Sequence, residues 1–395
     1  MFNKKIVIIT PWFGNFAGGA ESLARGMARE LNERGVQTTV FTTCSKSPYE
    51  SWWQNHHEPG TYDVEGIETR RFTTGKARGP YDSVIAKIGR GKKLSASDEQ
   101  NFFDYGINSS DLTAALWGFI EDDKSEFIAL PYFHGLTHSV VNAYPGRISL
   151  IPCFHDELQF YWNATKTLLQ NAKHIFFNSP EEKSLTIKQY GLSVGRRIVE
   201  SVVTGVGIEP PADAGQSTEV IDGLPESYFL YAGRKERGKN VHTLCEWFLN
   251  YVRKFKGNTK LVLIGGGDSS LVPSNEHCID LGFVSDAAKQ WIMKQSKAVI
   301  NLSENESFSL VMMEGWQCGV PSVVSANCAV TRNHVARCDG GLFVSNSEEF
   351  GLALKYLEDN ESMRVRLADN GRRYLAREFS FDVVLTRLLR ELGAV

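Results

Sequence analysis

Short apolar runs alternate with longer amphipathic segments along most of the chain. The runs stay hydrophobic over four to six residues, which is typical of strands buried on both faces of a parallel sheet. Between them apolar residues recur at helical spacing, as Leu23, Met27 and Leu31 do before Gly35. This alternation predicts a doubly wound α/β fold. The predicted strands span residues 5–10, 37–43, 149–154, 174–178, 228–233, 260–267, 298–303 and 321–325.

One segment, residues 205–227, interrupts this rhythm because it is rich in Pro, Gly, Asp and Ser and has no sustained period. The chain of 395 residues also exceeds the roughly 250–300 residues that one hydrophobic core serves. We therefore expect two Rossmann-like halves, residues 1–205 and 206–378. A last helix within residues 379–395 could pack on either half.

Composition excludes several classes of protein. A net charge of −3 does not support a general nucleic-acid-binding protein. Seven cysteines without a Cys-x-x-Cys pair suggest neither a disulfide framework nor a zinc site, and no other metal cluster is visible. The sequence shows neither a signal peptide nor a run of about 18 apolar residues. We expect a cytoplasmic protein.

Two glutamates, Glu306 and Glu314, follow the predicted strand at residues 298–303. On a regular helix, eight residues advance about 80° around the axis and about 12 Å along it, so both carboxylates can border one elongated ligand. The alternative is a helix-capping carboxylate and a solvated helix residue. Free N–H groups at the start of this helix would form an anion site, contributed by Ser307, Phe308, Ser309 and Leu310.

Two basic residues, Arg234 and Lys239, occupy the turn after the predicted strand at residues 228–233. They can converge on one phosphate, the arginine as a planar fork and the lysine as a point charge. The alternative is that each is a surface ion-pair partner, since Lys235 and Arg237 show that basic residues are common in this turn.

The first half offers weaker signals at the ends of its strands. Gly18 and Gly19 would let backbone N–H groups approach a phosphate, although a tight loop is the alternative and no dinucleotide fingerprint or P-loop is present. His155 and Asp156 could bind hydroxyls or take a proton, or His155 could be structural. An aromatic cluster could stack on a sugar ring or simply pack, and it contains Trp52, Trp53, His56 and His57.

Residues 84–94 combine basic and apolar side chains. Such a surface could rest on anionic lipid, although a solvated loop or helix is the more usual outcome for a run of charges. The residues concerned are Val84, Ile85, Lys87, Ile88, Arg90, Lys92, Lys93 and Leu94.

Taken in order along the chain, these motifs resemble the retaining glycosyltransferases of family 4. The resemblance rests on "TPWFGNFAGGAES", "PCFHDE", "NSPEE", "GRKERGKN", "LVLIGGG", "LGFVSD" and "SENESFSLVMMEGWQCGVPSVVS". It implies the GT-B fold of two facing Rossmann-like domains, with a C-terminal helix that can cross back to the N-terminal domain. Residues 51–72 and the "PYFHG…PCFHDE" segment look most similar to members that build bacterial surface polysaccharides.

The resemblance also implies roles for the site residues. The donor would be a UDP-, GDP- or dTDP-linked sugar bound to the C-terminal domain, with no other cofactor and no metal. The acceptor would be a hydroxyl of a glycan or a lipid-linked molecule. Glu306 would contact the transferred sugar, Glu314 the ribose, Arg234 and Lys239 the diphosphate, His155 the sugar, Gly18 and Gly19 a closing loop, and the backbone of Phe283 and Val284 the base.

The sequence departs from the family pattern at a few positions. Ser309 stands where the family usually has glycine, which bears on the geometry around the donor sugar, and Trp316, Gln317 and Gly207 also differ. Two other functions stay open: a GT-B nucleotide-sugar epimerase or hydrolase, and a non-catalytic nucleotide-sugar-binding protein. A NAD-linked oxidoreductase is disfavoured because the dinucleotide fingerprint is missing.

Overall fold

The computed structural model describes residues 4–16, 18–48, 50–75, 78–121, 124–208 and 223–393. The chain forms two compact units, the first made of Met1–Gly207 and Phe381–Val395 and the second of Ile208–Ser380. The segment expected to contain the boundary, residues 205–227, lies partly outside the described residues.

The first unit is built on a six-stranded sheet in the order β3-β4-β2-β1-β5-β6. Its neighbouring strands are parallel except for β3 and β4, which pair antiparallel. A separate pair, β7 and β8, is also parallel. The strands are β1 (Lys5–Ile9), β2 (Thr38–Thr43), β3 (Gly60–Val64), β4 (Ile67–Phe72), β5 (Ser125–Ala129), β6 (Ile148–Leu150), β7 (Phe176–Phe177) and β8 (Val202–Val203).

Helices pack on both faces of this sheet, as buried apolar side chains from both sides of its central strands require. Leu31 and Met27 of the first helix are buried, as the helical spacing predicts. The helices are α1 (Gly19–Glu33), α2 (Gly79–Gly89), α3 (Ala96–Asp104), α4 (Ser110–Ala115), α5 (Trp117–Ile120), α6 (Gly135–Ala143), α7 (Asn163–Asn171), α8 (Pro180–Val194) and α9 (Arg196–Glu200).

The second unit repeats the architecture with a six-stranded parallel sheet in the order β11-β10-β9-β12-β13-β14. Its strands are β9 (Tyr228–Ala232), β10 (Lys260–Ile264), β11 (Cys278–Asp280), β12 (Val299–Asn301), β13 (Ser322–Ser325) and β14 (Gly341–Val344). Its helices are α10 (Val241–Phe255), α11 (Asp286–Gln295), α12 (Leu310–Gln317), α13 (Ala329–Cys338), α14 (Ser347–Asp359) and α15 (Glu361–Glu378).

The last helix, α16 (Phe381–Glu391), belongs to the first unit, where its buried Leu385 and Leu388 join the cluster around α1. Gly207 lies against this helix, because a Cβ at that position would stand 2.3 Å from the Phe381 ring. The departure from the family pattern at Gly207 is therefore required by the packing of α16.

Trp316 departs from the family pattern without disturbing the second unit. The side chain is fully buried, and its indole N–H donates to the carbonyl of Gly340 at 2.6 Å. A Cβ at Gly371 would approach the indole to 2.3 Å, and one at Gly340 to 2.8 Å. Two glycines thus make the room that the large side chain needs. The structure gives no reason for Gln317.

Candidate active site

Polar side chains gather at the carboxyl edge of the second sheet. Because β9 lies between β10 and β12, the turns that follow these three strands are neighbours at one edge. In doubly wound proteins this edge is where ligands bind. The turns after β9 and β12 contain most of the residues predicted to hold a donor.

Glu306 and Lys239 form an ion pair between two of these turns. The Lys239 ammonium lies 2.9 Å from Glu306 Oε1, and the two side chains are 26% and 13% exposed. The same carboxylate oxygen accepts a hydrogen bond from the Asn301 amide at 3.2 Å. Partial burial strengthens such a pair relative to one in water. The structure therefore joins two of the predicted catalytic residues directly.

Asn301, at the end of β12, organises the turn around Glu306. Its amide also donates to Ser309 Oγ at 2.9 Å, and its Oδ1 accepts from the Ser303 backbone N–H at 2.9 Å. Asn301 is 5% exposed, so these bonds replace solvent for its amide group. Sequence analysis missed this residue, although a polar residue at the end of an apolar strand was visible.

Ser309 has φ 76° and ψ 76°, in the left-handed region that favours glycine. It precedes α12, which begins at Leu310, so Glu306 lies in an irregular turn before the helix. Glu306 therefore lies just before the helix and Glu314 within it, as predicted, but the offset of about 80° for a fully regular helix does not apply because the turn is not helical. Phe308 is buried against His334 and Phe379, while Leu310 is half-buried.

Glu314, on α12, pairs with Lys289 of α11 rather than with the group around Glu306. Lys289 Nζ lies 2.9 Å from Glu314 Oε1 and 3.5 Å from Asp286. Burial lowers the pKa of Lys289, but the two carboxylates outweigh it and the net shift is upward. The ammonium therefore stays charged beside the residue predicted to bind ribose. Sequence spacing gave no signal for Lys289.

Arg234 and Lys239 share the turn after β9 but bind different carboxylates. The Arg234 guanidinium lies 3.2 Å from Glu236 and its side chain is 55% exposed. The Tyr231 hydroxyl donates to the Arg234 carbonyl at 2.6 Å and fixes the start of the turn. Arg234 is thus held by its backbone while its guanidinium faces solvent, where a phosphate can reach it.

The segment predicted to hold the base follows β11. Phe283 is 70% exposed, which is unusual for an aromatic side chain, whereas Val284 packs against the sheet. Lys235, to which the sequence assigned no role, is 1% exposed. Its ammonium finds acceptors inside the unit at Gly265 and Asp280.

At the carboxyl edge of the first sheet, the two predicted loop glycines differ. Gly18 precedes α1 in an extended conformation, and a Cβ there would lie 2.0 Å from Glu21 Oε2. A Cβ at Gly19 would meet nothing within 4 Å. A side chain at the first position would therefore only displace the flexible end of the Glu21 side chain, and the second position is open.

His155 and Asp156 follow β6, as predicted. Nδ1 of His155 lies 3.7 Å from Glu157, whose carboxylate accepts from the Tyr132 hydroxyl at 2.6 Å. Asp156 accepts from the Tyr161 hydroxyl at 2.5 Å. Glu157, which was not singled out from the sequence, is thus a carboxylate beside His155.

The predicted aromatic cluster is present and partly exposed. Trp52 contacts Trp53 edge to face at 5.4 Å and Tyr81 at 5.3 Å, and the Arg78 guanidinium lies 3.5 Å from the centre of the Trp53 ring. Burial lowers the pKa of His57, with Arg71 adding to the shift, and favours the neutral imidazole. The cluster thus combines flat apolar rings with polar neighbours.

The predicted basic surface is smaller than its sequence suggests. Val84 is buried with Phe102, Phe103 and Trp162, and Ile88 and Leu94 pack against these rings. Ile85 is the apolar side chain of this surface that stays exposed, at 42%. Lys87 pairs with Asp98 at 2.5 Å. Arg90, Lys92 and Lys93 remain exposed.

In the part of the chain that the structure describes, no group of three or more His, Cys, Asp or Glu side chains is placed to hold a metal ion. In the same residues, no helix combines the length and the hydrophobicity that crossing a membrane requires.

Comparison with known proteins finds similar chains among glycosyltransferases. Residues 222–374, most of the second unit, match the family model of glycosyl transferases group 1. A D-inositol 3-phosphate glycosyltransferase of Corynebacterium aurimucosum is 23% identical over 94% of this chain and 90% of its own length. The matched region contains the Lys239–Glu306 and Lys289–Glu314 pairs.

Solved structures share the fold at low sequence identity. Trehalose-6-phosphate synthase OtsA superposes with a TM-score of 0.74 over 99% of both chains at 12% identity. Anabaena HepE in complex with UDP and glucose has a TM-score of 0.66 over 99% of this chain and 100% of its own at 15% identity. The predicted fold class is confirmed: two Rossmann-like α/β domains with parallel sheets, as in GT-B proteins.

Proposed function

We propose that this protein is a retaining glycosyltransferase of family 4. It moves a sugar from a nucleotide diphosphate sugar to a hydroxyl of a glycan or lipid-linked acceptor, in bacterial surface polysaccharide or glycoconjugate synthesis. The observation that carries the proposal is the Lys239–Glu306 pair, held by Asn301 at the carboxyl edge of a sheet whose unit matches group 1 glycosyltransferases.

The donor roles follow from the charges at this edge. Lys239 and the exposed Arg234 guanidinium bind the diphosphate, and Glu306 accepts hydrogen bonds from hydroxyls of the transferred sugar. Glu314 binds the ribose, with Lys289 holding one of its oxygens. The base lies against the segment of Phe283 and Val284. The turn of Phe308, Ser309 and Leu310 supplies backbone N–H groups to the donor.

The chemistry is the breaking of the bond between the anomeric carbon and the diphosphate oxygen. Negative charge grows on the leaving diphosphate, and two fixed cations stabilise it more in the transition state than in the bound donor. The acceptor hydroxyl attacks from the face that the diphosphate vacates and gives its proton to the leaving diphosphate oxygen, so the configuration is retained. No protein nucleophile is needed, unlike the paired carboxylates of retaining glycosidases.

The first unit binds the acceptor in this proposal. Gly18 and Gly19 lie in the loop that approaches donor and acceptor, and His155 contacts the transferred sugar. The transfer is of the hexosyltransferase type and needs no metal, because Arg234 and Lys239 supply the positive charge. Activity that survives exhaustive treatment with EDTA is expected, and activity restored by a divalent cation would contradict this part.

The protein works in the cytoplasm, in contact with the inner face of the membrane where a lipid-linked acceptor resides. Arg90, Lys92 and Lys93 beside Ile85 form the contact, with each basic residue contributing about 1 kcal/mol near an anionic surface. Sedimentation with anionic liposomes should pull the protein down, and replacing the three basic residues with Gln should release it. A protein that stays in the supernatant contradicts the contact.

Incubation with a panel of UDP-, GDP- and dTDP-sugars, with and without lipid extract, tests the function. One donor should be consumed with acceptor present, and NMR of the product should show the anomeric configuration of the donor. Donor lost without acceptor would indicate an epimerase or hydrolase. Donor bound and never consumed would indicate a non-catalytic binding protein.

A further inference from the structure

A buried lysine joins three strand ends beneath the proposed donor site. Lys235 directly follows Arg234 in the turn after β9, yet 1% of its surface is exposed. Its ammonium lies 3.0 Å from Asp280 Oδ1 at the end of β11 and also donates to the carbonyl of Gly265 after β10. A buried ammonium needs such partners, since an unpaired one costs several kcal/mol.

The backbone of Lys235 is held as tightly as its side chain. Its N–H donates to the Gly266 carbonyl at 2.8 Å, and its carbonyl accepts from the Asp268 N–H at 2.8 Å. A Cβ at Gly267 would lie 2.5 Å from the Lys235 carbonyl oxygen, so this close approach depends on glycine. The turn that presents Arg234 therefore rests on the glycine turn after β10.

Asp280 extends the same connection to the segment predicted to hold the base. The Oδ1 atom that binds Lys235 also accepts from the Gly282 N–H at 2.9 Å, and the Gly282 carbonyl accepts from the Gly265 N–H at 2.7 Å. Phe283 follows directly. One buried ion pair thus fixes the spacing between Arg234 and the segment of Phe283.

We propose that Lys235 and Asp280 are positioning residues that set the distance between the diphosphate-binding and base-binding parts of the donor site. This inference rests on the proposed function, since it assigns the two ends to one nucleoside diphosphate. Neither side chain touches the ligand. The pair holds the diphosphate-binding and base-binding parts at the correct spacing. Once the ligand has bound one part, this spacing raises its effective concentration at the other part.

The test is a comparison of nucleoside diphosphate and nucleoside monophosphate binding by calorimetry, using whichever of UDP, GDP or dTDP the wild type binds. The diphosphate should bind the wild type about tenfold or more tighter than the monophosphate because it reaches Arg234 and Lys239. In Lys235→Met this ratio should shrink at least about fivefold as the two contacts lose their spacing.

The variant Asp280→Asn distinguishes a positioning role from a purely electrostatic effect on diphosphate affinity. Removing Lys235 takes away a cation and removing Asp280 an anion, so a purely electrostatic effect changes diphosphate affinity in opposite directions. Positioning predicts that both substitutions shrink the ratio. The double variant Lys235→Met with Asp280→Asn restores the net charge and should still have the smaller ratio.

Thermal unfolding identifies variants that fail to fold, and the ratio is measured below that transition. Lys235→Arg, which keeps a cation beside Asp280, serves as a second variant if Lys235→Met does not fold. Its larger guanidinium should also lower the ratio of diphosphate to monophosphate affinity. A ratio unchanged in folded variants overturns the inference while leaving the proposed function intact. A wild type that binds no nucleotide overturns the proposed function itself.

Discussion

The carboxyl edges of the two sheets carry different kinds of side chain, although both sheets are mostly parallel and doubly wound. At the carboxyl edge of the first, Trp12 meets His134 edge to face at 4.9 Å, and aromatic rings cluster around Trp53. At the same edge of the second, carboxylates pair with lysines, as Glu306 does with Lys239. The fold determines where a ligand binds, and side chains determine which ligand.

Under the proposed function, the difference matches the two kinds of substrate in a sugar transfer. A diphosphate needs fixed positive charge, and lysines held by carboxylates supply it in the second unit. A neutral sugar needs flat apolar rings and uncharged hydrogen-bonding groups, and the first unit offers these. Burial lowers the pKa of His134 to about 4, so its imidazole stays neutral at pH 7.

The largest predicted effect is at Glu306. Glu306→Gln leaves Lys239 without its carboxylate and weakens hydrogen bonds to the transferred sugar, so kcat should fall by about a hundredfold to a thousandfold. Glu304→Gln is the matched control, because Glu304 is exposed in the same turn and binds Asn327 at 3.1 Å. Equal losses in both variants would contradict the assignment of Glu306 to the transferred sugar.

Arg234 should show the next largest effect. Arg234→Lys keeps the charge but loses the planar fork that matches a phosphate, so kcat/KM for the donor should fall by about tenfold to a hundredfold. Steady-state kinetics with varied donor measure it. Arg237→Lys, an exposed position in the same turn, is the control. A change confined to the KM for the acceptor would contradict the placement of Arg234 in the donor site.

A substitution at His155 tests whether the first unit affects sugar transfer without affecting nucleotide binding. His155→Ala should lower transfer by about tenfold, in the range of a lost polar contact to the sugar. The affinity for the free nucleoside diphosphate should stay unchanged, because the proposal places His155 beside the sugar. Calorimetry and initial rates on the same preparation separate the two. A large loss of nucleotide affinity would contradict the assignment of nucleotide binding to the second unit.

Each unit also contains a buried histidine in its interior. Burial lowers the pKa of His138 in the first unit and of His334 in the second to about 3. The unfolded chain, with histidine pKa values near 6.5, then binds more protons than the folded chain between about pH 6.5 and 3. Stability is therefore present above about pH 6.5 and is lost as the pH falls.

Between these pH values, the free energy of unfolding falls by about 1.4 kcal/mol per pH unit for each histidine. Urea unfolding at pH 7 and pH 5, followed by hydrogen exchange in β5 and β13, measures it in each unit. His334→Gln keeps a partner for the Tyr374 hydroxyl, 3.0 Å from Nδ1, and removes the titration. The second unit of that variant should lose less stability on acidification, and an equal loss contradicts the account.

The smallest effect concerns Ser309. Ser309→Gly relieves the left-handed conformation, worth about 1 kcal/mol, but loses the bond from Asn301, worth a similar amount. The two nearly cancel, whereas Ser309→Ala loses the bond and keeps the strain. The alanine variant should therefore be about 1 kcal/mol less stable than the glycine variant in urea unfolding. Equal stabilities would show that the backbone is not strained.

Sequence patterns predicted the buried strands well and the polar ones poorly. Continuous apolar runs such as "KIVIIT" became β1 because burial on both faces demands them. β5 was missed because Glu126 interrupts its run. That carboxylate is 2% exposed and is neutralised by Lys4 at 2.9 Å and Lys173 at 2.5 Å, partners that only the tertiary fold brings together.

The positions of the candidate site residues were predicted from the sequence, but most of their partners were not. Residues in the turns that follow strands, such as Arg234 and Glu306, could be found because strand ends are visible in sequence. Lys289 and Asp280 could not, since they reach Glu314 and Lys235 from distant segments. The polar turn before α12 was predicted, but the left-handed backbone of Ser309 was not, because serine disfavours that conformation.

Calorimetric titration of UDP, GDP and dTDP into the wild type and into Lys239→Met tests the central claim most directly. The account predicts that one of the three binds the wild type and binds the variant at least about tenfold more weakly, since a charge-assisted phosphate contact is worth about 1.5–3 kcal/mol. Equal affinity in the two proteins, or no binding to the wild type, would contradict it.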